Sequence, residues 1–325
     1  MEILLTGASG FTGLNLAGEL VRRGHHVHAL VRATSRVESL RRMGIALRGG
    51  DLGDPLSIER AVDGMEAIYH IAASYREARL PDSEYYKVNV LGTRHLLSAA
   101  KRQGVSRFVH CSTVGVHGHV KNPLANEEAP LNPGDYYQQT KLEGERVVRE
   151  YMSSGLPAVI FRPVGIYGPG DRRFLKLFRA IERGTFIMFG SGNVLYHLTY
   201  IDDLVRGIIA CGESDRALGK TYIIAGEKPV TLNELVRLIA TTLGVRPPRV
   251  HLPFWLLWGA SALCEALCRP LGVRPPLFRR RAEFFRSDRA FDTSKIEREI
   301  GFRPMIGLQE GLSRTANWYR AEALL

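Results

Sequence analysis

Cysteine is scarce: Cys111, Cys211, Cys264 and Cys268 are the only four in a chain of 325 residues. That is too few, too scattered, for a disulfide framework. Cys264 and Cys268 share a helix face, but no histidine or third cysteine pattern accompanies them, so no metal site is expected. Long apolar runs are missing too. The most hydrophobic segment, Phe254 to Cys268, is about fifteen residues with Glu265 inside, too short to span a bilayer. The start has no basic stretch and no cleavage site, and Glu2 to Thr6 leads straight into a glycine-rich loop, as expected of a cytoplasmic chain. Acids are the minority charge, 33 against 44 lysines and arginines, leaving a net +11. Such a surface can attract nucleic acid, anionic lipid or anionic substrates. The arginines are spread over several helices and no nucleic-acid module is present, so nucleic acid is not an expected partner.

What is present is a regular alternation of strands and helices. A strand at Ile3–Thr6 runs into Gly7-Ala-Ser-Gly10-Phe-Thr-Gly13, a helical run to Arg23 and a second strand at Val27–Val31. In that context a glycine fingerprint signals dinucleotide binding: the loop turns tightly, and a pyrophosphate sits at the helix N-terminus. The residue ending the second strand discriminates cofactors, since an acid binds the ribose 2′-hydroxyl and a base accommodates a 2′-phosphate. Here it is Arg32, near Ser35 and Arg36, which argues for NADP over NAD; the alternative is that Arg32 merely stacks on the adenine.

A third strand over Gly44–Gly50 ends at Asp51, either an adenine ligand or the N-cap of the helix after Pro55. A fourth strand spans Ala67–Ala73, and a long helix over Tyr85–Gln103 carries Asn89, whose buried amide needs a hydrogen-bond partner. A fifth strand, Arg107–Cys111, ends in the hydroxyls of Ser112 and Thr113, at the edge where open parallel sheets bind ligands. A helix capped by Asp135 follows, and Leu156–Arg162 is the sixth strand. Regular βα units define an α/β fold, a doubly wound parallel (Rossmann) sheet. Residues 1–163 form the nucleotide-binding part, 198–226 return to it, and 164–325 are mainly a smaller, largely helical substrate lobe. In that lobe Phe254–Cys268, beside Arg279-Arg-Arg281 and the exposed-looking Phe284-Phe285-Arg286, could rest on a membrane surface. Packing inside the lobe, or at a substrate mouth, is the reading favoured from sequence.

The helix after the fifth strand holds the chemistry. Tyr137 and Lys141, four residues apart, share a face. A tyrosine with a pKa of about 10 is a poor base, and moving it near neutrality takes roughly 4 kcal/mol of differential charge stabilisation. A neighbouring lysine cation supplies stabilisation of that sign.

The ordered set TGASGFTG, GDL, HIAA, VNVLGT, CST, YYQQTK, RPVGIYGPGD, YIDDL and DTSKIEREIGF resembles the extended short-chain dehydrogenases/reductases, the NAD(P)-dependent epimerase/dehydratase family. The likeness covers essentially the whole chain and is nearest the 3β-hydroxysteroid dehydrogenase-like and hopanoid-associated branches. It implies that Gly7, Gly10, Phe11, Thr12 and Gly13 form the pyrophosphate loop, with Asp51 and Leu52 at the adenine. Ala72, Ala73 and Asn89 would line the cofactor and Pro163 would contact the nicotinamide side. Thr113, with Ser112 as second choice, would hydrogen-bond the reacting oxygen. Tyr137 would be the general acid/base, and Lys141 would bind the ribose while depressing the tyrosine pKa.

Three departures narrow the chemistry. Val114-Gly115 stand where 4,6-dehydratases carry an acidic pair. His117 replaces a tyrosine, and Tyr196 an arginine, both usual in nucleotide-sugar enzymes, although Arg172 or Arg173 could still serve a diphosphate. The expectation is an NAD(P)-dependent oxidoreductase for a secondary alcohol or ketone on a small, apolar molecule. A UDP-sugar epimerase using the same Tyr/Lys chemistry is the alternative, and a non-catalytic cofactor-binding regulator the third reading. The resemblance also implies a homodimer through Tyr85–Gln103 and Tyr136–Met152.

Overall fold

In a computed structural model of the chain, residues 1–75, 81–268, 270, 273, 275–277 and 279–325 are described. Seven strands make the central sheet: β1 Glu2–Thr6, β2 His26–Val31, β3 Ala46–Gly49, β4 Ala67–His70, β5 Arg107–Cys111, β6 Ala158–Pro163 and β7 Thr221–Ile224. Their order is β7-β6-β5-β4-β1-β2-β3, and every pair is parallel. Residue alternation sends successive side chains to opposite faces. Ile3 and Leu5 enter one apolar cluster and Leu4 the other, as do Val109 and Phe108. Burial on both faces is why these strands read as nearly continuous apolar runs.

Helices α1 (Phe11–Arg22), α2 (Pro55–Val62), α3 (Asp82–Tyr86, Lys87–Leu91 and Gly92–Arg102 in succession), α4 (Tyr136–Ser153) and α5 (Ile201–Glu213) pack on the sheet. Residues of α1 and α5 join the first cluster and those of α2, α3 and α4 the second. Strand order reverses between β1 and β4, and a crevice opens there at the C-terminal ends. From the later chain, β7 pairs with β6 at the sheet edge.

Several boundaries differ from the sequence reading, each for a local reason. The fourth strand stops at His70 rather than Ala73, because the following amides are taken by side chains. Ala72 N–H donates to Thr6 Oγ1 (3.2 Å) and Ser74 N–H to Asn89 Oδ1 (2.8 Å). The helix read as Tyr85–Gln103 begins at Asp82 and has a π-helical turn at Lys87–Leu91, too short an irregularity to disturb a pattern of apolar residues. Gly165–Tyr167, beyond the sixth strand expected from sequence, pairs in parallel with Leu198–Tyr200, a partner visible only in three dimensions. The N-cap of α2 is Asp54, whose carboxylate accepts from Leu56 N–H, whereas Asp51 accepts from Gly53 N–H. Phe284 and Phe285 pack against Tyr196, Phe186 and Phe189 instead of facing solvent.

The largest correction concerns α6, Phe254–Cys268. The helix forms as expected, but only Leu257 and Ser261 are buried, so it is not packed inside the lobe. Among the described residues no helix is long and apolar enough to cross a membrane.

Candidate active site

Of the residues the resemblance assigned to the cofactor or to catalysis, all but Asn89 line one cleft of about 700 Å³ along the C-terminal ends of the strands, as does Arg32. Its floor is the β1–α1 loop. Gly7 has φ +73°, and a Cβ there would lie 2.7 Å from Ala72 N. A Cβ on Gly13 would lie 2.1 Å from Gly7 O. Side chains are therefore excluded where backbone amides meet the N-terminus of α1, a cradle shaped for a pyrophosphate. Arg32 and Ser35 close one end of the cleft, with Ser35 Oγ accepting from Arg32 N–H (3.0 Å). Asp51 and Leu52 stand beside them. These residues fit a nicotinamide dinucleotide.

Asn89 lies one layer behind. Its Oδ1 accepts from Ser74 N–H, and its Nδ2 donates to Ser74 O (3.2 Å) and Thr140 Oγ1 (3.0 Å). It thereby fastens the segment after β4 to α4, the structural role its burial suggested. Asn89 itself sits in the π-helical turn of α3.

At the other end stand Thr113, Tyr137 and Lys141. Asp135 caps α4 by accepting from Gln138 N–H (2.8 Å), which fixes where the helix and Tyr137 begin. The Tyr137 ring meets Tyr75 edge-on, centroids 5.2 Å apart. Lys141 is almost fully buried and donates from Nζ to the Cys111 carbonyl (2.6 Å). Burial pulls its ammonium pKa down, opposed by Cys111 and Glu145. The Cys111 thiol is pushed up to about 11 by burial, which makes it inert as a nucleophile. Thr113 Oγ1 accepts from Gly115 N–H (3.0 Å), leaving its hydroxyl proton for another acceptor. Ser112 differs: its hydroxyl donates to Glu145 Oε1 inside the protein. Thr113 is thus the better placed of the two hydroxyls.

Beneath these residues is a buried polar network that the sequence reading missed. Arg162 donates to Glu145 through Nε (2.9 Å) and Nη2 (2.7 Å), and neither side chain is exposed. Burial raises the Glu145 carboxyl pKa, but Arg162 and Ser112 outweigh it and hold the group below its ordinary value. Arg162 Nη1 reaches Glu127 O (3.0 Å) and His117 Nε2 (3.1 Å). His117 Nε2 therefore accepts, and Nδ1–H donates to Pro130 O (3.2 Å). His117 faces this interior, so its difference from a tyrosine leaves the cleft unchanged.

A second chain runs through Thr6, His70 and Thr93. His70 Nδ1 bonds Thr6 Oγ1 (2.7 Å) and Nε2 bonds Thr93 Oγ1 (3.0 Å), whose hydroxyl donates to Asn89 O (2.8 Å). These partners assign a neutral ring protonated at Nε2. Burial lowers the His70 pKa to about 3.

Beyond Tyr137 the wall combines Val114, Val164, Ile166 and Phe291 with Arg173 and Arg289. Arg172 does not line it. Arg173 is committed to Asp171 (2.7 Å) and Ile166 O (2.8 Å). Arg289 lies over the Tyr196 ring, and its Nη1 donates to Tyr196 Oη (2.9 Å). Among the described residues it has no acidic partner. The cation found missing at position 196 is thus delivered to that tyrosine from position 289, which no local sequence signal could have shown.

A sequence model of the NAD dependent epimerase/dehydratase family matches residues 3–225. The chain is 32% identical to a 2-alkyl-3-oxoalkanoate reductase of Stenotrophomonas maltophilia, over 97% of this chain and 98% of that one. It is 30% identical to a 3 beta-hydroxysteroid dehydrogenase/Delta 5-->4-isomerase of Mycobacterium tuberculosis, over 98% and 90% respectively. Among solved structures, a dTDP-glucose 4,6-dehydratase of Streptomyces venezuelae with NAD bound superposes with a TM-score of 0.79 at 28% identity, covering all of both chains.

Proposed function

The chain belongs to the NAD-dependent epimerase/dehydratase family, the extended short-chain dehydrogenases/reductases, and from that membership we propose an oxidoreductase that interconverts a secondary alcohol and a ketone. The observation that carries this reading is the convergence of Thr113, Tyr137 and Lys141 on the cleft that also holds the glycine cradle. The nicotinamide cofactor, when bound, takes up or supplies the hydride. Gly7 to Gly13 would hold its pyrophosphate, Asp51 and Leu52 its adenine, Lys141 the ribose, and Ala72, Ala73 and Pro163 the nicotinamide half. Tyr137 Oη gives a proton to the carbonyl oxygen in reduction and removes it from the hydroxyl in oxidation. Thr113 donates a hydrogen bond to that same oxygen. Val114 and Gly115 offer no acid or base for eliminating water.

The mixed wall favours an apolar substrate with one anionic group, its body against Val164, Ile166 and Phe291 and its charge toward Arg289. The reductase relative's name describes such a molecule, an alkyl chain with a ketone and a carboxylate. Arg289 equally supports a second reading, a nucleotide-sugar epimerase whose diphosphate it would hold. Two incubations separate them. Consumption of one NADPH per ketone reduced, with no change in UDP-sugars, supports the oxidoreductase. Epimerised UDP-sugar at sub-stoichiometric cofactor, without net change in NADP(H), assigns the second reading.

Arg32 carries the NADP preference in this proposal. Arg32→Ala should weaken NADPH binding roughly 10- to 100-fold, the range for losing a charged hydrogen bond, and leave NADH nearly unchanged. Equal losses would remove the 2′-phosphate role. The outer faces of α3 and α4 are the proposed homodimer surface.

A further inference from the structure

We propose that α6 is a docking face for the surface of an anionic lipid bilayer. Along this helix Trp255, Gly259, Leu263 and Leu267 recur every four residues and are all exposed; Leu256, Ala260 and Ala266 widen the stripe. Trp255 is 68% exposed, Leu263 62% and Leu267 61%. No charged side chain interrupts it. Singly exposed apolar residues are ordinary, but a continuous apolar face on a helix about 22 Å long marks an interaction site.

The helix's polar groups are turned away from that face. Ser261 is buried and donates to Leu257 O (2.7 Å). Glu265 is half-buried and accepts from Arg279 Nε (2.8 Å) and Arg279 N–H (2.8 Å), which neutralises the one charge the helix carries. Arg279 lies over the Trp258 ring and Arg286 over the Phe254 ring, each 5.8 Å from the centroid. Arg286, exposed and laid along the apolar helix, keeps its head at the level of phosphate groups.

Charge selects the occupant. Residues 246–286 contain eight arginines and two glutamates, with no lysine or aspartate, so this one segment carries +6 of the chain's net +11. A second copy of the chain would bring two such segments together and repel. An anionic lipid surface complements both features at once: the stripe enters the headgroup boundary while the arginines meet phosphates.

The test is cosedimentation of the full-length protein with phosphatidylcholine vesicles, with and without phosphatidylglycerol. Binding should require phosphatidylglycerol and weaken as salt rises. The double variant Leu263→Asp/Leu267→Asp places charges at two exposed positions outside the cleft, so its melting temperature and cofactor binding should match the wild type. Its vesicle affinity should fall tenfold or more, since two leucines no longer leave water. Absence of wild-type binding to phosphatidylglycerol vesicles overturns the proposal, as does equal binding by the double variant. Self-association abolished by the double variant, without vesicle binding, overturns it in favour of a second copy.

Discussion

The catalytic wall and the 246–286 segment treat charge in opposite ways. Around Tyr137, buried polar groups are held by other protein groups: Glu145 by Arg162 and Ser112, Lys141 by a carbonyl, Asn89 by Ser74 and Thr140. In the later segment one arginine is paired with Glu265, while the segment as a whole keeps a surplus of +6. The difference separates two tasks. Proton transfer needs groups fixed in place before the substrate arrives, and internal hydrogen bonds fix them. Selecting a substrate or a surface needs charge left unspent by the fold.

The sharpest way to break this contrast is to uncouple the network beneath Tyr137. Glu145→Gln leaves the fully buried Arg162 guanidinium without its counter-charge, and should cost about 3–5 kcal/mol in chemical denaturation. A loss below about 1 kcal/mol would mean that the pair does not hold this wall together. Next in size is Arg289→Ala on the opposite side. KM for an anionic ketone should rise roughly 10- to 100-fold with kcat nearly kept, because a charge-assisted hydrogen bond is lost in both ground and transition states. Folding stability should scarcely change; a large loss would move Arg289 into the structural class.

The smallest effect concerns pH. His70 and His110 are buried and neutral, and among the described residues neither nitrogen of His110 has a hydrogen-bond partner. Burial holds His110 well below its ordinary pKa of 6.5 and His70 at about 3. Above pH 6.5 both folded and unfolded chains keep these rings neutral. As pH falls below that, the unfolded chain takes up protons that the folded chain refuses. Stability should therefore decline by about 1.4 kcal/mol per pH unit for each histidine. His110→Phe should remove about one proton's worth of that slope between pH 6 and pH 5, read from melting temperatures, while the other buried histidines, His117 and His197 among them, keep theirs. An unchanged slope would contradict it.

Legibility in the sequence followed the same division. The Gly7–Gly13 loop, the Ser112-Thr113 strand end and the Tyr137–Lys141 spacing were readable because each is local, set by one turn or one helix face. The Asp135 cap was readable for the same reason. Arg289 and the Glu145–Arg162 pair were not, since only the folded chain brings their partners together. The helix Phe254–Cys268 was found with its ends correct, yet its burial was misjudged. Composition shows that a helix is apolar, but which side meets the protein depends on what packs against it.

The most direct measurement is Tyr137→Phe, which removes one oxygen and leaves the ring against Tyr75. If Tyr137 moves the proton, kcat should fall by about 10²- to 10⁴-fold while NADPH affinity, by fluorescence titration, stays at the wild-type value. Retention of wild-type kcat on the same ketone would contradict the assignment.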